Sequence, residues 1–297
     1  MIFLTLSILN AIITFPDAFT LKDGIVEMKA ITYAVVQNED GNRTPLLMDT
    51  SFQAHAESPL PAVLFIHGGS WKTGTRADGA QAVRLLAKGD YFAASISYRQ
   101  GRSNGFPAAV HDCKAAIRFL KENATELGID PTKIGLLGFS TGGYLAALAG
   151  LSAGIAPLDG TLNGKDVDTS VACVGTISGV LMPEDAKGQL KRLYNNWALE
   201  DRTVERKTTF PSTYIDRDDP PFYMVCGEVD KVSTPKDTKN FAGLLRRANV
   251  WQHVEVIEGS GHRFEKPNSY LGIFGFFDTK LGGHARSALQ QTINSLR

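Results

Sequence analysis

Residues 138–142 read Gly-Phe-Ser-Thr-Gly and place a serine between two glycines. An apolar stretch at 134–137 precedes this run, and a helix-like stretch at 144–151 follows it. A tight turn from strand to helix needs small residues on both sides of the serine, and it leaves the hydroxyl exposed at the tip. The pattern predicts that Ser140 is a nucleophile. The alternative is a turn of small residues that only packs a helix against a sheet.

A serine hydroxyl becomes a good nucleophile when a base takes its proton and a carboxylate orients that base. The expected chain order is serine, then Asp or Glu, then histidine. Asp230 and His262 follow two successive predicted strands, at 222–226 and 253–258. Because parallel strands end at one edge of a sheet, both loops should open beside Ser140. Glu228 is the alternative carboxylate.

Six histidines compete for the role of base. His262 has glycines around it in a loop after a late strand, which predicts the required position; the alternative is a surface histidine near a turn. The other five are predicted in unsuitable positions: His55 in a loop before a strand, His67 in the loop after the third strand, His111 in a helix, His253 at the start of a strand and His284 in the tail. Three further acids precede the strand at 222–226 and should lie at the wrong edge, namely Asp216, Asp218 and Asp219.

A second run of small residues, His67-Gly68-Gly69-Ser70-Trp71, follows the apolar stretch 62–66. Small residues let backbone N–H groups approach a developing oxyanion. We predict the N–H groups of Gly69, Ser70 and Thr141 as the oxyanion donors. The alternative for the loop is a glycine-rich turn that caps the next helix.

Predicted strands alternate with helical stretches at 79–88, 107–123, 235–248 and 270–281. This alternation favours an α/β fold with crossovers and a mainly parallel sheet. Segment 182–220 is polar and long, and we interpret it as a cap-like insertion, with a surface excursion as the alternative. The candidate aromatic contacts to substrate are Trp71, Trp197 and Tyr214, although packing beneath the loop is favoured for Trp71.

Length and composition favour a single domain at 21–297, since 297 residues with 43% apolar content can bury a large core. Lys plus Arg and Asp plus Glu both number 31, so the formal net charge is zero. Nucleic acid and anionic membrane surfaces are therefore not the expected partners. The cysteines Cys113, Cys173 and Cys226 match no zinc spacing, and their odd number argues against a disulfide framework.

The first 20 residues are interpreted separately as a signal peptide or an N-terminal arm. Residues 1–15 are almost wholly apolar and too short for a comfortable membrane span. They are similar to the apolar region of a secretory signal, although a preceding cation and a clean cleavage site are missing. We expect a secreted or periplasmic protein, with an N-terminal strand or arm of a cytoplasmic protein as the alternative.

These motifs together resemble the α/β-hydrolase superfamily. More narrowly, the chain is similar to carboxylesterases with a His-Gly-Gly-x-Trp loop, such as the BD-FAE-like group (bifunctional carbohydrate acetyl/feruloyl esterases). The similarity covers roughly 30–280. The matching pieces are 67–71, 95–99, 112–120, 128–131, 138–143, Asp230 and His262.

The resemblance implies an eight-stranded, mainly parallel sheet with helices on both faces. It also implies a serine carboxylesterase for short-chain acyl esters, including acetyl or feruloyl esters of carbohydrates, which needs no metal or organic cofactor. Ser70 stands where many lipase-like relatives have a third glycine, whereas Phe139 and Thr141 favour the BD-FAE-like branch. A serine peptidase or amidase of the same fold, including an arylformamidase-like enzyme, is the alternative. The oligomeric state is left open.

Overall fold

The computed structural model describes residues 19–37, 41–54, 59–161, 168–198, 203–264 and 266–295. Within these ranges, nine strands form one sheet. The strands are β1 (Phe19–Lys22), β2 (Ile25–Gln37), β3 (Arg43–Gln53), β4 (Leu60–Ile66), β5 (Phe92–Ile96), β6 (Ile129–Phe139), β7 (Cys173–Ile177), β8 (Phe222–Gly227) and β9 (Gln252–Ile257).

The strand order is β1-β2-β3-β5-β4-β6-β7-β8-β9. Strands β4 to β9 pair in parallel, and β1, β2 and β3 form the antiparallel side. The sheet is thus mainly parallel, as predicted, but it has one strand more than the expected eight. The additional strand is β1, whose four residues are all exposed. It was missed because a short edge strand held by backbone hydrogen bonds leaves no pattern of burial in the sequence.

The helices within the described ranges are α1 (Ala80–Lys88), α2 (Ala108–Glu122), α3 (Ala124–Leu127), α4 (Thr141–Leu151), α5 (Ala156–Asp159), α6 (Gly188–Ala198), α7 (Pro235–Arg247), α8 (Leu271–Leu281) and α9 (Ala285–Ser295). Successive side chains of β4 point alternately into two core layers. Ala62, Leu64 and Ile66 point into the layer covered by α2, α4 and α7. Val63 and Phe65 point into the layer covered by α1, α8 and α9. Helix α9 was not predicted from the sequence.

Residues 1–18, which include most of the predicted signal or arm, lie outside the described ranges, and so does His55. Among the helices that are described, none is both long and apolar enough to cross a membrane. Cys113, Cys173 and Cys226 are buried free thiols.

The predicted insertion at 182–220 is fastened to the domain by an aromatic cluster. Trp197, on α6, stacks on Trp71 with ring centroids 5.3 Å apart, and Tyr194 packs against both Trp71 and Tyr144. The Tyr144 hydroxyl, on α4, donates a hydrogen bond to the carbonyl of Thr209 at 2.7 Å. These contacts make the described part of the insertion a continuation of the core and not a detached lobe.

Replacement of Trp197 tests this packing role. Trp197 is only 2% exposed, so Trp197→Ala should lower the free energy of unfolding by about 3–5 kcal/mol through the loss of buried contacts. The matched control is Trp251→Ala, because Trp251 is 50% exposed and should cost far less. Denaturant unfolding measures both. Equal losses in the two variants would contradict a core position for Trp197.

Candidate active site

Ser140 sits in a sharp turn between β6 and α4. Its backbone has φ 53° and ψ −117°, a conformation that non-glycine residues rarely adopt. The flanking glycines are required by close approaches of the backbone. A Cβ at Gly138 would lie 2.2 Å from the Gly142 carbonyl oxygen, and one at Gly142 would lie 2.0 Å from the Ile66 carbonyl oxygen. The turn therefore forms only with this arrangement of small residues.

The structure brings the three side chains predicted for the nucleophile, base and carboxylate together. His262 Nε2 lies 2.9 Å from Ser140 Oγ, and His262 Nδ1 lies 2.8 Å from Asp230 Oδ2. Since a carboxylate only accepts, Nδ1 carries the proton and donates it to Asp230, which leaves Nε2 as an acceptor for the Ser140 hydroxyl. The side chain of Asp230 is fully buried and that of His262 is 26% exposed.

Asp230 is held in its ionised form by hydrogen bonds. Burial alone would raise the pKa of Asp230, but the hydrogen bond from His262 and those from the Val232 and Ser233 N–H groups outweigh burial, and the pKa lies below its ordinary value. The two N–H groups reach Oδ1 at 2.8 and 3.0 Å. The alternative carboxylate, Glu228, accepts from the N–H of Gly259 instead and makes no bond to His262.

The glycine-rich loop at 67–71 lies directly against the serine. A Cβ at Gly68 would come within 3.0 Å of the Ser140 Cβ. Gly69, Ser70 and Trp71 all have positive φ, of 130°, 55° and 59°. This unusual backbone is braced by hydrogen bonds from Lys72 N and Thr73 N to the carbonyl of Gly69.

The predicted oxyanion donors lie on this loop and at the start of α4. The N–H groups of Gly69, Ser70 and Thr141 have no acceptor within the described ranges. The loop carrying Gly69 and Ser70 approaches Ser140 from one side, and Thr141 follows Ser140 at the start of α4. Such N–H groups can stabilise negative charge on an oxygen that lies between them.

A tyrosine that the sequence reasoning did not single out anchors this loop. The Tyr98 hydroxyl donates to the His67 carbonyl at 2.9 Å, and the two rings stack with centroids 4.4 Å apart. His67 itself donates from Nδ1 to the Gly68 carbonyl, and burial lowers its pKa. Because Tyr98 follows β5, beside β4 in the sheet, only the strand order could reveal this contact.

The structure revises the aromatic candidates for substrate contact. Trp71 is fully buried and Trp197 nearly so, and their rings are occupied by packing with each other and with neighbouring tyrosines. They therefore act as core residues in this structure. Tyr214 is partly buried and donates to the Thr208 carbonyl at 2.7 Å, which fixes it within the insertion.

The aromatic ring that does adjoin the site is Phe139. Its centroid lies 5.5 Å from that of the His262 ring, and the Arg263 guanidinium lies over the Phe139 ring, 5.1 Å from its centroid. In the sequence, Phe139 only favoured the BD-FAE-like branch, and Arg263 carried no signal beyond its place next to His262. Within the described ranges, no group of three or more His, Cys, Asp or Glu side chains is arranged to hold a metal ion.

Comparison with solved structures agrees with this fold. A truncated carbohydrate esterase from gut microbiota aligns with a TM-score of 0.73 at 22% identity, covering 90% of this chain and 98% of that one. Esterase 2 of Thermogutta terrifontis aligns with a TM-score of 0.70 at 22% identity, covering 84% and 90%.

Sequence comparison identifies the family. Esterase LipC of Mycobacterium tuberculosis is 32% identical over 219 residues, which are 70% of this chain and 54% of LipC. Esterase LipQ of the same organism is 28% identical over 198 residues, or 64% of this chain and 47% of LipQ. The chain thus spans about half the length of these curated relatives. The BD-FAE family model matches residues 48–245, and the chain belongs to this family of α/β-hydrolases.

Proposed function

We propose that this protein is a serine carboxylesterase that hydrolyses short-chain acyl esters through Ser140, His262 and Asp230. The observation that supports it best is the continuous hydrogen-bonded series from Ser140 Oγ through both nitrogens of His262 to the buried Asp230 carboxylate. In this series Ser140 donates to His262 Nε2, and His262 Nδ1 donates to Asp230. This is the order of donors and acceptors that proton transfer from the serine to the imidazole requires. The esterase names of the relatives that match over most of this chain also support it.

In the acylation half-reaction, Ser140 Oγ attacks the ester carbonyl carbon while its proton moves to His262 Nε2. The carbonyl double bond opens, and its electron pair moves to the oxygen. Asp230 stabilises the imidazolium that forms, because the pKa of Asp230 lies below its ordinary value and the carboxylate stays ionised. When the tetrahedral species collapses, the bond to the leaving alkoxy group breaks, and His262 gives that oxygen its proton.

The developing oxyanion is accepted by backbone donors. The proposed donors are the N–H of Thr141, the residue after Ser140, and the N–H groups of Gly69 and Ser70, and each well-placed donor contributes about 3–4 kcal/mol in enzymes of this kind. In the second half-reaction, water gives a proton to His262 and attacks the acyl-enzyme. Collapse returns the proton to Ser140 Oγ and releases the acid. These residues complete the cycle by themselves.

The proposed substrates are esters with short acyl groups, including acetyl or feruloyl esters of carbohydrates. Membership of the BD-FAE family supports this range. The named function of the gut carbohydrate esterase, with which the chain shares its fold, is compatible with it.

A panel of esters tests the proposal. Rates on para-nitrophenyl esters from acetyl to decanoyl, on methyl ferulate and on acetylated xylan should be highest for short acyl groups. A fluorophosphonate probe should label Ser140, as peptide mass spectrometry can establish. Efficient cleavage of decanoyl esters alone would contradict the short-chain preference. Labelling without ester turnover, together with cleavage of matching anilides, would favour the amidase alternative.

A further inference from the structure

A cleft lies between the segments that follow β7 and β8, and its lining includes Lys231, the neighbour of Asp230 in the chain. Its volume is about 440 Å³, which falls within the range of small-molecule sites. One wall is formed by 179–190, where the insertion begins, and the other by 231–240, which includes the first turns of α7. The segments that form the walls follow parallel strands, and Ser140 follows another strand of the same parallel set. The cleft and Ser140 therefore lie at the same edge of the sheet.

The walls of the cleft are hydrogen-bonded to the site. Val180 N donates to the Ser140 carbonyl at 3.2 Å. On the opposite wall, the N–H groups of Val232 and Ser233 donate to Asp230 Oδ1. Ser233 also reaches across to the first wall, since its hydroxyl donates to the Gly179 carbonyl. The cleft is therefore held in a fixed relation to the proposed reacting atoms.

The lining combines an apolar surface with cations. The apolar part is provided by Val180, Leu181, Met182, Leu190 and Val232, and Val232 is 41% exposed. Lys187, Lys231 and Lys236 are exposed at the same cleft, and no ion pair joins them to another residue of the described ranges.

Two carboxylates share the cleft with these lysines. Asp237 Oδ2 accepts from the Thr234 hydroxyl at 2.8 Å, and Thr234 caps the start of α7, so Asp237 is engaged in the helix cap. Asp185 is exposed on the opposite wall. Three lysines against two aspartates leave one net positive charge, and the N-terminus of α7 adds to it. The surface thus suits a group with an apolar body and one negative charge.

We propose that this cleft binds the non-reacting part of an ester substrate that carries a carboxylate on an apolar acyl or aryl body. The lysines contribute by attracting the carboxylate, and the apolar wall by burying the body. This inference rests on the proposed esterase function, because the cleft would hold the part of the ester that Ser140 does not attack.

Two pairs of probes separate the two halves of the ester. For the acyl half, para-nitrophenyl hydrogen glutarate is compared with para-nitrophenyl pentanoate, which has a methyl group in place of the carboxylate. For the alcohol half, the acetate ester of para-hydroxybenzoate is compared with that of methyl para-hydroxybenzoate. The quantity measured is the ratio of kcat/KM for the charged probe to that for its neutral partner. The pair whose ratio depends on the lysines identifies the half that occupies the cleft.

The combined variant Lys187→Gln/Lys231→Gln/Lys236→Gln should lower this ratio about three- to tenfold in one pair, because exposed charges interact weakly through water. The corresponding Lys→Arg variant should keep the ratio, and added salt should lower the ratio of the wild type. The matched control is Lys239→Gln, since Lys239 is also exposed on α7 but does not line the cleft.

The outcomes distinguish the two proposals. If neither pair nor para-nitrophenyl acetate is hydrolysed, the esterase function is wrong. If esters are hydrolysed but both ratios stay the same in the combined variant, or fall equally in Lys239→Gln, the cleft does not bind a carboxylate and the inference is overturned.

Discussion

Ser140→Ala should lower kcat/KM for para-nitrophenyl acetate by about 10⁴-fold or more, because loss of the nucleophile removes the covalent route altogether. Only one oxygen is deleted. Ser140 N still donates to the Ile177 carbonyl, so the turn keeps its backbone anchor. We therefore expect a folded protein that is nearly inactive and is not labelled by a fluorophosphonate.

The experiment compares purified wild type, Ser140→Ala and Ser103→Ala, with circular dichroism and thermal unfolding to verify the fold. Ser103 is an exposed serine outside the site, and its replacement controls for loss of a hydroxyl in general. Turnover by the pure Ser140→Ala protein at the rate of the wild type would reject Ser140 as the nucleophile. Equal losses in both variants would point to a cause other than catalysis.

Asp230→Asn should lower kcat by about 10⁴-fold with a much smaller change in KM, because an amide next to Nδ1 no longer fixes the required tautomer or stabilises the imidazolium. The substitution keeps the size of the side chain. It removes the charge on which His262 depends, although His262 and Ser140 remain in place. The loss should therefore fall on the chemical step and not on binding.

The same variant has a signature in the pH dependence of stability. The pKa of Asp230 in the folded protein lies below its ordinary value, so its charge stabilises the fold above the ordinary pKa of an Asp, about 3.9. That contribution is lost as the pH falls through the lower, folded-state pKa. The difference in unfolding free energy between wild type and Asp230→Asn should therefore be larger at pH 7 than in strong acid.

Glu228→Gln is the matched control for this carboxylate. Glu228 is two residues away and accepts from Gly259 N, with no bond to His262. The Glu228→Gln variant should keep its activity. If Glu228→Gln lost activity and Asp230→Asn kept it, the assignment of the carboxylate would be reversed.

Local patterns predicted much of the site, for reasons of chain geometry. A serine between glycines, after a strand and before a helix, determines its own turn, since any Cβ at Gly138 or Gly142 would collide with backbone atoms. Asp230 and His262 were predictable because each follows a strand of a parallel sheet, and such strands end at one edge. The alternation of strands and helices likewise predicted the mainly parallel sheet.

Other features depended on contacts between distant parts of the chain. The sequence favoured packing for Trp71 but left the role of Trp197 open, and the structure shows that both are buried and stack on each other with centroids 5.3 Å apart. Asp230 and Glu228 are only two residues apart in the chain. The choice between them depended on which carboxylate turns toward His262. The contact of Tyr98 with His67 depended on the order of strands in the sheet.

The amino-acid sequence by itself determined the α/β architecture and the nucleophile turn, because both depend on short-range backbone sterics and on the periodicity of apolar residues. The tertiary structure decided which polar groups face one another at the end of the sheet. Those pairings join residues that are as many as 122 positions apart in the chain. A pattern along the chain does not show which of such distant residues are close in space. The lysine-lined cleft beside Asp230 belongs to this second class, since its two walls come from different segments of the chain.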